Sequence, residues 1–380
     1  MSQLAPEIFA GLHIARYEIR LRASEPARLP AFAGSALRGA FGHALKSAVC
    51  VMQHRDCERC LVASRCIYPH VFETQFPAHL TQWQGEQNAP SPYTLDPPIY
   101  KQRLNRNAKE APPTVASPES EHQPPEGGTP NTPESQPPEG GTPNTQPKWA
   151  RHRELNAGDE VVFGITLMGR AIDYLPYLVF AIHEMTQRGL GAQRSRFALT
   201  EVRALATTGE LQTIYTEKDQ RLDAPATPPP RLSDWVNARL VQLAPGDTIK
   251  LRFVTPARIK VDDDLQPRAS FELLARNLLR RVSMLMAVHG EAPLELDYRA
   301  LIDRAADVNT MHSALKWWDL QRYSSRQQSK LRMGGFVGTI VYGGEMLKEF
   351  WPLIVAGEIL RFGKGTSFGL GKYEIGGCER

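Results

Sequence analysis

The stretch GKGTSFGLG, Gly363 to Gly371, places Gly363, Gly365, Gly369 and Gly371 around one lysine, Lys364, and two hydroxyls, Thr366 and Ser367. It follows a helix-like run, Leu347 to Leu360, and leads into a short strand-like tail, Tyr373 to Ile375. Glycines let a backbone approach a ligand closely and expose its N–H groups. With the lysine and hydroxyls added, the loop has the chemistry to hold phosphates. The nucleotide P-loop needs G-x-x-x-x-G-K-[ST] opening a helix. Here the loop comes after the helix, so a nucleic-acid backbone fits better than a nucleoside triphosphate. The competing reading is a hairpin whose glycines serve only tight turns. Arg361, Lys364 and Lys372 lie in or beside the loop.

Working outward, the C-terminal part reads as a strand at Asp247–Phe253, a helix at Ser270–Val288 and a mostly helical spacer at Asp297–Leu320. A strand at Gly335–Tyr342 and a helix at Met346–Leu360 precede the glycine loop. The N-terminal part has the same order. His13 to Leu21 alternates as a half-buried strand does. A helix follows at Ser35–Val49, then a strand at Glu160–Met168, a helix at Asp173–Gln187, a loop GLGAQRSRF at Gly189–Phe197 and a strand at Leu199–Leu205. Two such copies predict an α+β fold of two tandem ferredoxin-like (RRM-like) domains, 1–217 and 247–380. A linker is expected at 218–246, where Pro225, Pro228, Pro229 and Pro230 cluster. A cleft between two such sheets suits an extended ligand.

The 380 residues suffice for two cores, and 42% hydrophobic with 23% charged residues are globular values. The net charge of +4 is too mild to demand nucleic acid by itself. No apolar run is long enough to span a bilayer and the N-terminus lacks a signal-peptide core, so a cytoplasmic protein without a membrane partner is expected. Between about 105 and 148 the chain is rich in Pro, Gly, Glu, Ser and Thr, and QPPEGGTPNT occurs twice, from Gln123 and from Gln136. Such a segment has too little apolar surface to offset its ordering entropy, so a disordered, duplicated insertion is expected.

The first helix, GSALRGAFGHALKSAV from Gly34, carries an apolar stripe through Leu37, Phe41, Ala44, Leu45 and Val49, with Ser35 as the expected N-cap. At about 100° per residue, His43 and Lys46 lie opposite the stripe, beside Gly39 and Gly42. His43 is therefore either a solvated surface histidine or a general acid/base on a face that two glycines keep open. Lys46, one turn on, has the charge to stabilise a phosphorane. Directly after this helix, Cys50, Cys57, Cys60 and Cys66 form the pattern C-x6-C-x2-C-x5-C. A tetrathiolate metal site is expected over 50–66, structural zinc by default and an iron–sulfur cluster as the alternative.

A third element, KWWDLQRYSSRQQSKLRMGG from Lys316, mixes Trp317, Trp318 and Tyr323 with Arg322, Arg326, Lys330 and Arg332. Basic residues beside stacking rings grip RNA. The competing reading is a helix end with the tryptophans as core anchors; we take the tryptophans as core and Arg322, Arg326 and Lys330 as ligand-facing. Arg38 on the first helix, and Arg194 and Arg196 in the loop of the first half, are further candidates for backbone contacts.

Together these residues resemble the CRISPR precursor-RNA processing endoribonucleases of the RAMP superfamily. The resemblance is strongest in GGFVGTIVYGGE and the FWPLIVAGEILRFGKGTSFGLGKYEI tail, and extends to the GSALRGAFGHAL helix, CIYPHVFE and RYSSRQ. It implies recognition of CRISPR repeat RNA and crRNA, with other CRISPR effector subunits as further partners. It implies metal-independent cleavage through attack of the ribose 2′-OH on the adjacent phosphate. In the family a histidine in or near the first helix often serves as acid/base, which puts His43 in that role, with Lys46 and Tyr323 as candidates on chemistry alone. The alternative is a catalytically silent RNA-binding subunit of an effector complex. A zinc-stapled scaffold whose glycine loop is only a turn is the third reading.

Overall fold

The computed structural model describes residues 3–52, 56–57, 59–83, 89–98, 152–261, 264–266, 269–324 and 329–376. The duplicated segment and Arg326 lie outside the described residues.

The first half is built on β1 (Ile14–Ala23), β2 (Ala27–Leu29), α1 (Gly34–Val49), α2 (Ile67–Phe72), β3 (Tyr93–Asp96), β4 (Arg153–Leu155), β5 (Glu160–Met168), α3 (Leu175–Arg188), β6 (Phe197–Leu205) and β7 (Leu211–Thr216). Alternation along β1 buries Tyr17, Ile19, Leu21 and Ala23 and turns Arg16, Glu18, Arg20 and Arg22 to the other face. The main sheet runs β3-β5-β1-β6-β7, with β1 antiparallel to both neighbours. α1 and α3 cover its apolar face: Leu37, Phe41 and Leu45 share a core with Leu178, Ile182 and Met185 and with Phe163 and Ile165. β2 and β4 pair as a small separate ladder.

The second half has α4 (Leu232–Leu243), β8 (Thr248–Ala257), a short β9 (Lys260–Val261) and β10 (Asp264–Leu265) ladder, α5 (Phe271–His289), α6 (Tyr298–Ala306), β11 (Asn309–Trp318), β12 (Gln321–Ser324), β13 (Ser329–Arg332), β14 (Gly335–Gly343), α7 (Leu347–Leu360) and β15 (Tyr373–Gly376). Its sheet runs β11-β14-β8-β15. In both halves the order is second, third, first and fourth strand of a β-α-β-β-α-β run, the ferredoxin-like arrangement. α7 is buried almost all round, against α4, α5 and the sheet, and Ser270 caps α5 by accepting from the Leu273 N–H at 3.3 Å.

Four expectations change. The spacer 297–320 is helical only over α6; it continues as β11, a strand exposed from Asn309 to Ala314. The Lys316 stretch is accordingly not a helix end: it closes β11 and turns through the β12–β13 hairpin. The segment 218–246 contains α4, whose Leu232, Trp235 and Val236 belong to the second core. Ala33, not Ser35, occupies the N-cap of α1.

The halves are docked along a seam. The Arg361 guanidinium is buried and pairs with Asp96 at the end of β3. His289, at the end of α5, bonds the Pro90 carbonyl at 2.7 Å and meets the His70 ring of α2 edge-on, 5.8 Å between centroids. A side chain at Gly169 would collide with the His289 carbonyl.

Candidate functional site

α1 presents His43 to solvent, and Gly39, one turn before it, has nothing within 4 Å of the position a Cβ would take. Gly42 differs from the expectation. Its Cβ position is 2.8 Å from the Phe72 ring, so α2 covers it, and one glycine rather than two keeps the His43 face open. Arg38 is not a free surface cation. Its guanidinium lies 4.3 Å from the Phe368 ring centroid and 5.3 Å from that of Phe72, and its Nε donates to Ser367 Oγ at 3.2 Å. It ties α1 and α2 to the glycine loop.

The loop is largely occupied by the protein itself. The N–H groups of Gly363, Lys364, Phe368, Gly369, Leu370 and Gly371 donate to Asn277, Arg258, Gly365, Thr366, Gly365 and Pro256 in turn. Thr255 Oγ1 donates to the Gly369 carbonyl at 2.8 Å and receives the Lys372 N–H at 2.8 Å. The glycines are needed for close packing: Gly369 abuts Pro97, Gly371 abuts the Phe362 carbonyl, and Gly34 of α1 abuts the Phe368 carbonyl. All four loop glycines have positive φ, between 71° and 85°. Lys364 is exposed, Gly365 and Ser367 are half-buried and Thr366 is buried.

Arg322 and Tyr323 on β12 pair in register with Leu331 and Lys330 of β13, which places them on one hairpin. Trp318 is buried, as expected of a core anchor, while Trp317 is half-buried and donates to Asp319 at 2.9 Å. Arg194 and Arg196 are exposed; the Arg196 N–H donates to Glu25 at 2.7 Å.

Cys50, Cys57, Cys60 and Cys66 all line one narrow pocket, together with Lys46 and Tyr68. Among the described residues, no three His, Cys, Asp or Glu side chains form a group that could hold a metal ion. Lys46 shares this pocket with Cys57, and its ammonium sits 4.7 Å over the Tyr68 ring. Burial opposes its charge, but Cys57, Tyr68 and Glu73 outweigh burial and raise its pKa. Burial also raises the Cys57 thiol, against the pull of Lys46.

A cavity of about 290 Å³, which no sequence motif announced, opens between the halves. Arg16, Trp235, Arg239, Glu358, Arg361 and Lys372 line it. They come from separate segments of the chain, so only the fold assembles them. Burial raises the Asp96 carboxyl behind them, but Arg361, Lys372 and Arg16 outweigh burial and hold it well below the usual carboxylate range.

The chain is thus a pair of ferredoxin-like units, the second of which carries the glycine loop. Residues 251–373 match the model of the CRISPR-associated endoribonuclease Cas6 family, and residues 12–111 and 122–227 match the AF_1859_N family, described as an N-terminal domain. The chain belongs to the AF_1859_N family, whose model covers more than half of it, and its C-terminal part matches the Cas6 type. A Cas6-RT-Cas1–Cas2 complex shares the fold, with a TM-score of 0.53 and 12% identity over 98% of this chain and 48% of that one. A Thermus thermophilus Cas6 superposes with a TM-score of 0.47 and 12% identity over 96% and 99% of the two chains. No curated protein is significantly similar to the chain. Among the described residues, no helix is long and apolar enough to cross a membrane.

Proposed function

We propose that the protein is an endoribonuclease that cuts CRISPR precursor RNA within its repeats and yields mature crRNA. The single observation that carries this reading is His43, exposed beside open Gly39 on the helix that Arg38 braces against the glycine loop. The 2′-oxygen attacks the adjacent phosphorus, its proton passing to a base, and the bond from phosphorus to the 5′-oxygen breaks as an acid protonates that oxygen. The products are a 2′,3′-cyclic phosphate and a 5′-OH. His43 acts as general acid/base, with no metal in the reaction. The exposed cations Arg194, Arg196 and Lys364, with Arg322, Arg326 and Lys330, hold the RNA backbone, and Tyr323 is a candidate second catalytic group. Repeat RNA is the partner, and other CRISPR proteins join it; the solved Cas6-RT-Cas1–Cas2 complex of the same fold supports the second partner class.

The test is incubation with the genomic repeat RNA in EDTA beside His43→Ala. A single cut by wild type, reduced at least 100-fold in the variant, is the expected outcome. A cut that survives the substitution removes His43 from the role. Tight binding without any cut establishes the silent RNA-binding subunit instead, a reading favoured by the engagement of Lys46 with Cys57 and Tyr68 rather than with His43.

The same reading assigns structural zinc, or alternatively an iron–sulfur cluster, to the four cysteines. Its support is that all four thiols line one pocket. Elemental analysis of the purified protein decides it: one zinc per chain is expected, a brown protein with iron and sulfide indicates the cluster, and a metal-free folded protein ends the assignment.

A further inference from the structure

Three cations, Arg16, Arg361 and Lys372, act on one carboxylate, Asp96. Asp96 pairs with Arg361 and, at 3.3 Å, with Lys372. Glu358 is committed elsewhere: it takes Arg239 Nε at 2.9 Å and the Ile375 N–H at 2.8 Å. Glu374 pairs with Arg252. Among the described residues no carboxylate stands at ion-pair distance from Arg16, whose guanidinium instead lies over Trp235, 5.3 Å from the ring centroid. Arg361 is 2% exposed, and its Nε is buried without a hydrogen-bond partner. Desolvation lowers the Arg16 pKa, with Arg361 adding to the effect and Asp96 and Glu358 opposing it.

Buried cations in excess of their counter-charges are costly unless an anion completes them. Here the excess faces a solvent-connected cavity of about 290 Å³, close to the lower size limit for small-ligand pockets. Arginine is the side chain best suited to phosphate oxygens, by charge and by its planar fork of donors. We propose that this cavity is a phosphate-binding site, in which Arg16, Arg361 and Lys372 receive a single phosphate group of a nucleotide. The group comes either from a free nucleotide or from an RNA strand. The site lies on the face of β1 opposite α1, so it is separate from His43 and stands whether or not the chain cuts RNA.

The test is calorimetric titration of the full-length protein with inorganic phosphate, with AMP and with a short unstructured RNA, beside Arg16→Met and Lys372→Met. Methionine keeps apolar contact with Trp235 while removing the charge. Saturable binding of phosphate or AMP at one per chain, weakened tenfold or more in both variants, establishes the site with a free nucleotide as its source. Binding of RNA alone, weakened tenfold or more in both variants with a salt slope shallower by about one, establishes it with the strand as source. Binding of none of the three ligands, or binding that neither variant changes, overturns the proposal. If Arg16→Met does not fold, Lys372→Met decides between the same outcomes.

Discussion

Arg38 lies between the rings of Phe72 and Phe368 and reaches Ser367, so one side chain joins α1, α2 and the glycine loop. A partly desolvated cation–π contact and a charged hydrogen bond together are worth about 1–3 kcal/mol. Arg38→Ala is expected to lower the unfolding free energy by that amount in urea titration, and Arg38→Lys to recover only part of it, because an ammonium cannot lie flat between two rings. The two glycines of α1 separate stability from access. Gly39→Ala meets open space and is expected to be neutral or to stabilise by about 0.5–1 kcal/mol, while any loss of RNA cutting would mark the His43 face as the place of substrate approach. Gly42→Ala presses on the Phe72 ring and is expected to destabilise. The helical period in the sequence placed His43 correctly on the open face. It misplaced Gly42 because α2, which covers that side, returns only after the cysteine loop, and no local pattern records such a return.

At the scale of elements, the glycine loop works as a joint as well as a candidate contact. Gly371 has φ 71° and lies against the Phe362 carbonyl. Gly371→Ala therefore adds both left-handed strain and a steric clash, and a loss of about 1–3 kcal/mol is expected, read as a lower thermal midpoint. An unchanged midpoint would show that the loop relaxes freely and is not a joint. The strand–helix order of both halves was legible because β1, β5, β8 and β14 bury one face against helices, which leaves a period in the sequence. β11 was not legible. It is an edge strand, exposed on both faces from Asn309 to Ala314, so nothing forces its side chains to alternate. Arg361 was legible only as a flank of the loop; its pairing with Asp96, on β3 of the other half, was not, because the two residues are far apart in the sequence.

For the whole molecule, the seam between halves sets a pH limit. Burial lowers the His289 pKa to about 4, against the opposing Pro90 hydrogen bond, with His70 and Arg281 lowering it further. Burial and the nearby Arg170 lower His70 as well. The ordinary value is 6.5. An unfolded chain therefore takes up protons that the folded one refuses, so stability is full above about pH 6.5 and falls as pH drops toward 4, by up to about 1.4 kcal/mol per pH unit for each fully refused proton. Asp96 keeps its charge across that window, because its cations hold it well below the usual range. Urea midpoints at pH 7 and pH 5 are expected to differ more for wild type than for His289→Gln; an equal drop in both would place the acid sensitivity elsewhere. The seam is thus fastened by one contact indifferent to mild acid and another that mild acid undoes. Acid would then act as a one-sided wedge, prising α5 from Pro90 and α2 while the Asp96 end stays shut. A protease offered the native protein at pH 5 should nick first around Gly290, at the loosened end, and leave the chain near Arg361 whole.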